Sequence, residues 1–352
     1  MNLIQQYLKE TPAQLRKIIA GSQELFENIA EQGYTQVIVV GSGTSFHSGT
    51  QMAQLMRKRS GIRVASYYPF QVTPELLRNS NRHCLFVGIS QGGSSLSTYD
   101  AMNLAKKAGC TVATMCGEKD TYLDSIADEI FTVNIGEEKA GARTKGYYAT
   151  KMNLLLLAEY IGIGNHTVDQ QQFDQDMQAI DSVLDVFLEA LKRAVHWVTE
   201  NRERLSKADN IRIVGPASLY GDTLESALKL LETCQVPVTG YEFDEFVHGI
   251  YNAVDEKSTI FIMDNGTEKR IKKIREVLGQ WTDKIYTVDF SQEKRVDRFG
   301  YGVTVVPEFE TFICPLVFQV MAALVPELKG IDPTQPKDPE FHQKLNSKKF
   351  GY

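Results

Sequence analysis

Between residues 35 and 133 five short apolar runs alternate with helix-patterned segments, and the alternation restarts at residue 210. The runs at 35–40, 63–67, 84–89, 111–114 and 129–133 are mostly continuous in apolar residues rather than alternating. Strands covered on both faces need that pattern, so the sheet is expected to be parallel with helices on each side. Helices are expected at 12–33, where Leu15, Ile18, Ile19, Leu25 and Ile29 share one side, and at 46–58, 73–79 and 95–108. A long helix leads out of Gly141-Ala142-Arg143-Thr144-Lys145 to about Ile161, followed by a polar-faced helical stretch over 165–208. Asn210-Ile211-Arg212-Ile213-Val214-Gly215-Pro216-Ala217-Ser218 then echoes 36–45, and strands are expected at 238–243, 258–263, 284–289 and 302–306. The fold class is α/β, two doubly wound modules. The divisions are a helical segment (1–34), a first module (35–165), a connector (166–208), a second module (209–330) and a C-terminal tail (331–352).

A chain of 352 residues is long for one core, which agrees with two domains. Its 43% apolar and 23% charged residues are ordinary for a globular protein, and its net charge of -6 argues against nucleic acid. Cys84, Cys110, Cys116, Cys234 and Cys314 are odd in number and scattered, with neither a disulfide framework nor zinc spacing. They read as buried reduced thiols of a cytoplasmic protein. The N-terminal residues 1–15 have no signal core and read as an amphipathic helix, and the longest apolar run, 312–325, is too short for a membrane span and contains Pro315.

Ser90-Gln91-Gly92-Gly93-Ser94-Ser95 lies between a buried strand and a helix. Unsatisfied N–H groups at a helix N-terminus favour an anion, glycines let the backbone approach it, and hydroxyls add donors. The loop suits a phosphate monoester. It lacks the lysine of a P-loop, and Gly41-Ser42-Gly43 lacks a third glycine in the dinucleotide position, so no nucleotide cofactor is expected. Such a loop can also serve simply as a helix cap. A second hydroxyl loop, Gly43-Thr44-Ser45, follows the first strand, and both would lie at strand carboxyl ends, where doubly wound folds bind ligands.

Glu225, Lys229 and Glu232 share one face of a helix that Asp222 can cap, beside a stripe of Leu224, Ala227, Leu228 and Leu231. Alone, the trio reads as a solvated ion-paired face. His248 follows the acidic residues Glu242, Asp244 and Glu245. A carboxylate, an amine and an imidazole are what proton transfer on a sugar carbon needs.

Together with Gly43-Thr44-Ser45-Phe46-His47-Ser48-Gly49, Ile89-Ser90-Gln91, Ala142-Arg143-Thr144-Lys145, His248-Gly249, Lys329-Gly330-Ile331-Asp332 and Gln335-Pro336, these segments resemble the sugar isomerase (SIS) domain family. Within it they resemble the isomerase half of glucosamine-6-phosphate synthase, over nearly the whole chain. The resemblance implies that Ser45, Ser90, Gln91, Gly92 and Ser95 hold a sugar phosphate, with Gly43, Thr44, Thr144 and Glu225 around the substrate. Glu232 would move a proton between C1 and C2 with the help of Lys229. The partner subunit's His248 would open the sugar ring, in a homodimer or higher oligomer. A tail lysine would reach the carbonyl; Lys348 is the choice, with Lys344 and Lys349 as alternatives. No metal, cofactor or membrane partner is implied.

Departures narrow this. The family's Ser-Gln-Ser-Gly-Glu-Thr loop is Ser90-Gln91-Gly92-Gly93-Ser94-Ser95 here, and its His-Gly-Pro is His248-Gly249-Ile250. Residue 2 is Asn2, where a glutamine-hydrolysing domain would carry cysteine, so glutamine-derived ammonia transfer is not expected. The expected activity is hydrolysis of a fructosamine-type 6-phosphate to a hexose 6-phosphate and an amine. Glucosamine-6-phosphate deamination, aldose–ketose isomerisation and a non-catalytic sugar-phosphate sensor are the alternatives.

Overall fold

The computed structural model describes residues 2–136 and 138–349. They form two compact units. One comprises 13–138, 145–178 and the tail from Asp338 onward; the other comprises the N-terminal residues up to Pro12, 139–144 and 179–337.

In the first unit β1 (Gln36–Val40), β2 (Arg63–Tyr67), β3 (Cys84–Ile89), β4 (Thr111–Met115) and β5 (Glu129–Ile130) form one parallel sheet in the order β2-β1-β3-β4-β5. Gln36 stands in register with both Arg63 and Cys84, so β1 lies at the point where strand order reverses. Every residue of β3 is buried, as its unbroken apolar run requires. Ile38, Phe86, Val112 and Met102 meet in one interior cluster. The helices are α1 (Leu3–Ala20), α2 (Ser22–Phe26), α3 (Thr44–Ser60), α4 (Leu96–Lys107) and α5 (Lys145–Gly164). α5 is apolar nearly all round and almost entirely buried, packed along α3.

α1 runs from Leu3 through Pro12, so the N-terminal segment is helical as expected. Two sequence expectations are corrected here. Residues 74–79 are turns, not a helix, because Thr73 Oγ1 accepts from Leu76 N and the chain closes short loops. Only Glu129 and Ile130 of the run 129–133 pair as strand.

α6 (Gln170–Ser206) carries the chain to the second unit. There β6 (Ile211–Gly215), β7 (Val238–Glu242), β8 (Thr259–Met263), β9 (Ile285–Asp289), β10 (Lys294–Arg295) and β11 (Arg298–Gly300) run in the order β10-β11-β9-β8-β6-β7. Apart from the antiparallel hairpin strand β10, this is the order of the first sheet repeated. The fifth parallel strand is therefore β11, not 302–306. Gly302 turns at φ +67°, and its N–H bonds back to the Ser291 carbonyl, which takes the chain off the sheet. Around the sheet lie α7 (Tyr220–Cys234), α8 (Phe243–His248), α9 (Ile271–Leu278) and α10 (Leu316–Leu324), over an interior that includes Val214, Phe246, Ile260 and Ile262. The tail forms α11 (Phe341–Lys344).

Among the described residues one stretch, Pro307–Lys329, is long and apolar enough to cross a membrane, but it is mostly buried in the protein. All five cysteines are buried and free.

Candidate active site

The loops after β1 and β3 flank the reversal of strand order in the first unit. Gly41 is needed there: a Cβ on it would lie 2.5 Å from Ser45 Cβ and 3.0 Å from the Ile89 carbonyl. Gly43 precedes α3 at φ +56°, and Thr44 and Ser45 form the helix's first turn, where N–H groups point outward. After β3, Gly93 turns at φ +58° with Thr121 packed where its side chain would be. Ser95 is the N-cap of α4. Its Oγ accepts from Thr98 N at 3.4 Å and from the Thr98 hydroxyl at 3.0 Å. Ser45, Ser90, Gln91 and Ser95 are all partly exposed and Gly92 is exposed. The loop thus presents glycine backbone, hydroxyls and an amide, with no carboxylate of its own.

The tail pairs with this loop. Lys349 N donates to the Ser94 carbonyl at 2.9 Å, Leu96 N to the Ser347 carbonyl at 3.4 Å, and Ser95 and Lys348 form an antiparallel bridge. Of the three tail lysines, Lys348 stands opposite the helix cap, while Lys344 is engaged with Asp338 at 2.9 Å. A residue overlooked in the sequence supports the loop from another side. Glu138 accepts from Lys145 N at 2.9 Å and Gly146 N at 3.0 Å, a carboxylate at the N-terminus of α5. A Cβ on Gly146 would strike the Gln91 amide oxygen at 2.8 Å, so that glycine is what lets Gln91 lie there. Thr144, just before α5, is wholly buried.

In the second unit α7 places Lys229 Nζ 2.7 Å from Glu232 Oε2 and 3.5 Å from Glu225 Oε1. The solvated-face reading fails here: Glu225 is 0% exposed and Lys229 1%. Of the expected apolar stripe only Ala227 is buried; Leu231 is 44% exposed and Leu224 and Leu228 are only partly covered. Asp222 does not cap the helix. α7 starts at Tyr220 after Leu219, and Asp222 lies buried in the first turn. A buried ammonium needs a buried counter-charge, which Glu225 supplies. Glu232 shares the same ammonium but keeps a 36% exposed side chain, so it is the carboxylate of the trio that a substrate can reach. His248 ends α8, a helix capped by the Glu242 side chain accepting from Glu245 N at 3.0 Å. The imidazole is exposed and, among the described residues, makes no hydrogen bond to the α7 trio.

The second unit has its own crevice at the reversal of strand order, and it differs in chemistry. Ser218 follows β6 and Asn265 follows β8. Asn265 Nδ2 donates to Ser218 Oγ at 3.0 Å and to the Glu310 carboxylate. Burial, and then the negative charge of Asp222, push the Glu310 carboxyl up to about 7. Among the described residues no group of three or more His, Cys, Asp or Glu side chains could hold a metal ion.

Two repeated doubly wound units, one opening a glycine- and hydroxyl-rich helix N-terminus and the other burying an ion-paired lysine, define a protein of the phosphosugar-isomerase type. The SIS domain family matches residues 29–160. A candidate phosphosugar isomerase from Clostridium difficile 630 is 42% identical, each chain covering 100% of the other, with a TM-score of 0.96. A candidate sugar-binding protein from Salmonella typhimurium LT2 is 33% identical over 92% of this chain and 100% of its own, with a TM-score of 0.86. The glutamine–fructose-6-phosphate aminotransferase (isomerizing) of Thermococcus kodakarensis is 23% identical over 94% of this chain. That alignment covers 56% of the aminotransferase, so the chain spans about half the length of that relative. The chain belongs to the SIS family and is homologous to the isomerase domain of these aminotransferases.

Proposed function

We propose that the protein is a deglycase, hydrolysing a fructosamine-type 6-phosphate to a hexose 6-phosphate and a free amine. The observation that carries this reading is the α7 trio: a buried lysine shared between a buried glutamate and a half-exposed one. Glu232 takes the proton from C1 of the aminoketose, giving an enolamine, and returns it at C2, giving an imine at C1. Water adds to the imine and the C–N bond breaks, leaving the aldose phosphate and the amine. Lys229 holds Glu232 in place; Glu225 balances Lys229 and touches no reacting atom. Ser45, Ser90, Gln91, Gly92 and Ser95 hold the phosphate, remote from the chemistry, so that binding energy orients C1 and C2. Gly43, Thr44 and Thr144 shape the substrate's surroundings. Lys348 meets the carbonyl, and the partner subunit's His248 opens the ring. The glycine at residue 92, where the family has serine, supports a substrate that differs from the aminotransferase's.

Incubation with fructoselysine 6-phosphate, following released lysine and hexose 6-phosphate, tests the reading, with glucosamine 6-phosphate and released ammonia as the comparison. Release of lysine is expected. Turnover of glucosamine 6-phosphate alone would make the protein a deaminase. A melting temperature raised by sugar phosphate without turnover of either would make it a sensor.

A further inference from the structure

The first unit contains a cavity of about 370 Å³ that shares no residue with the phosphate loops. Its walls come from α1, α2 and α5, from the segment after β4, and from β5 and the residues that follow it. Asn153 of α5 lines it and is 1% exposed. The Asn153 Nδ2 donates to the Ala149 carbonyl at 2.9 Å, but its Oδ1 is buried with no donor. A buried acceptor left unpaired is costly, and a ligand N–H would satisfy it. Lys17 and Lys119 line the same cavity, as do Glu24 and Asp120. Among the described residues none of these four charges is ion-paired. Asp120 is also held at φ +55°, a left-handed conformation rare outside glycine.

Two free cations and two free anions around one cavity do not suit a phosphosugar, whose dianion would meet both carboxylates. A neutral sugar would leave all four unused. A zwitterion matches them: its carboxylate meets the lysines, and its ammonium meets the carboxylates and the Asn153 oxygen. Ile18 and Leu25 complete the lining with apolar surface. We propose that this cavity binds a free α-amino acid with an aliphatic side chain or stem, at a site separate from that of the phosphosugar.

The test is calorimetric titration of the full chain, without phosphosugar, using L-leucine and L-lysine as probes. N-acetyl-L-leucine and L-leucinamide, each lacking one charge, are the comparison. Saturable binding is expected, with both blocked analogues weaker by about tenfold or more. The surface variants Lys119→Gln and Asp120→Asn, whose melting temperatures verify folding, should each weaken L-leucine by a similar factor. No saturable heat with either amino acid up to about 10 mM, analogues as tight as L-leucine, or folded variants indistinguishable from wild type would overturn the proposal. Because turnover is not read, the result does not depend on the deglycase assignment.

Discussion

The two units repeat one strand order and place opposite chemistry at the ends of their strands. In the first, the loops after β1 and β3 offer glycine backbone, hydroxyls and the Gln91 amide, and Ser95 opens α4. In the second, the loops after β6 and β8 converge on a carboxylate, with Asn265 bonded to Ser218 and Glu310. The helices differ as well. α5 is buried because it is apolar, whereas α7 buries Asp222, Glu225 and Lys229 and leaves Leu231 exposed. Duplication has kept the scaffold while dividing the chemistry. A neutral cradle accepts an anion, and a unit with a carboxylate already at its crevice does not need one. A helix that spends stability on buried charge is one whose charge has a use.

Four variants break or sharpen that contrast. Glu225→Ala should be the most damaging, because it removes the buried counter-charge of the Lys229 ammonium and leaves the partly exposed Glu232 to balance it. A loss of about 3–5 kcal/mol in urea unfolding is expected, and a loss below about 1 kcal/mol would mean the pair is not buried in solution. Glu310→Gln should stabilise, and only at higher pH. The folded carboxyl is raised to about 7 from an ordinary value near 4.5, so its protonated form is favoured in the native state. Stability is therefore lost as pH rises from about 4.5 to about 7, by about 3–4 kcal/mol at most. Unfolding of Glu310→Gln and wild type should match at pH 4.5 and diverge at pH 8; equal stability at both would remove the buried charge from the account.

The remaining two variants address the cradles. Ser95→Ala should weaken glucose 6-phosphate by about tenfold to a hundredfold, the value of a hydrogen bond to a charged group. Ser218→Ala, in the crevice of the other unit, should leave that affinity unchanged. Equal effects at both positions, read by isothermal titration, would make the two crevices equivalent.

The sheets were legible in the sequence because parallel strands covered on both faces must be continuous apolar runs, and β1 and β3 fall where those runs do. The last strand of each sheet was less so. At 129–133 only Glu129 and Ile130 are strand, although Phe131 N and Val133 N still donate to the Thr114 and Cys116 carbonyls, and the valine-rich run 302–306 forms no strand, since Gly302 has already turned the chain. The α7 trio was visible as a spacing but not as a buried cluster. Helical periodicity assumes that leucines face inward, and here Leu224, Leu228 and Leu231 do not, although Leu230 does. Glu138 and Glu310 carried no signal: each acquires its role from partners distant in sequence or from its depth, neither of which spacing encodes.

The central claim is that Glu232 moves the proton while the first unit's loop holds the phosphate. It is tested most directly by measuring kcat on fructoselysine 6-phosphate and Kd for glucose 6-phosphate in Glu232→Gln. The account predicts a fall in kcat of about a thousandfold with Kd changed less than about twofold. A variant that turns over at the wild-type rate would contradict it.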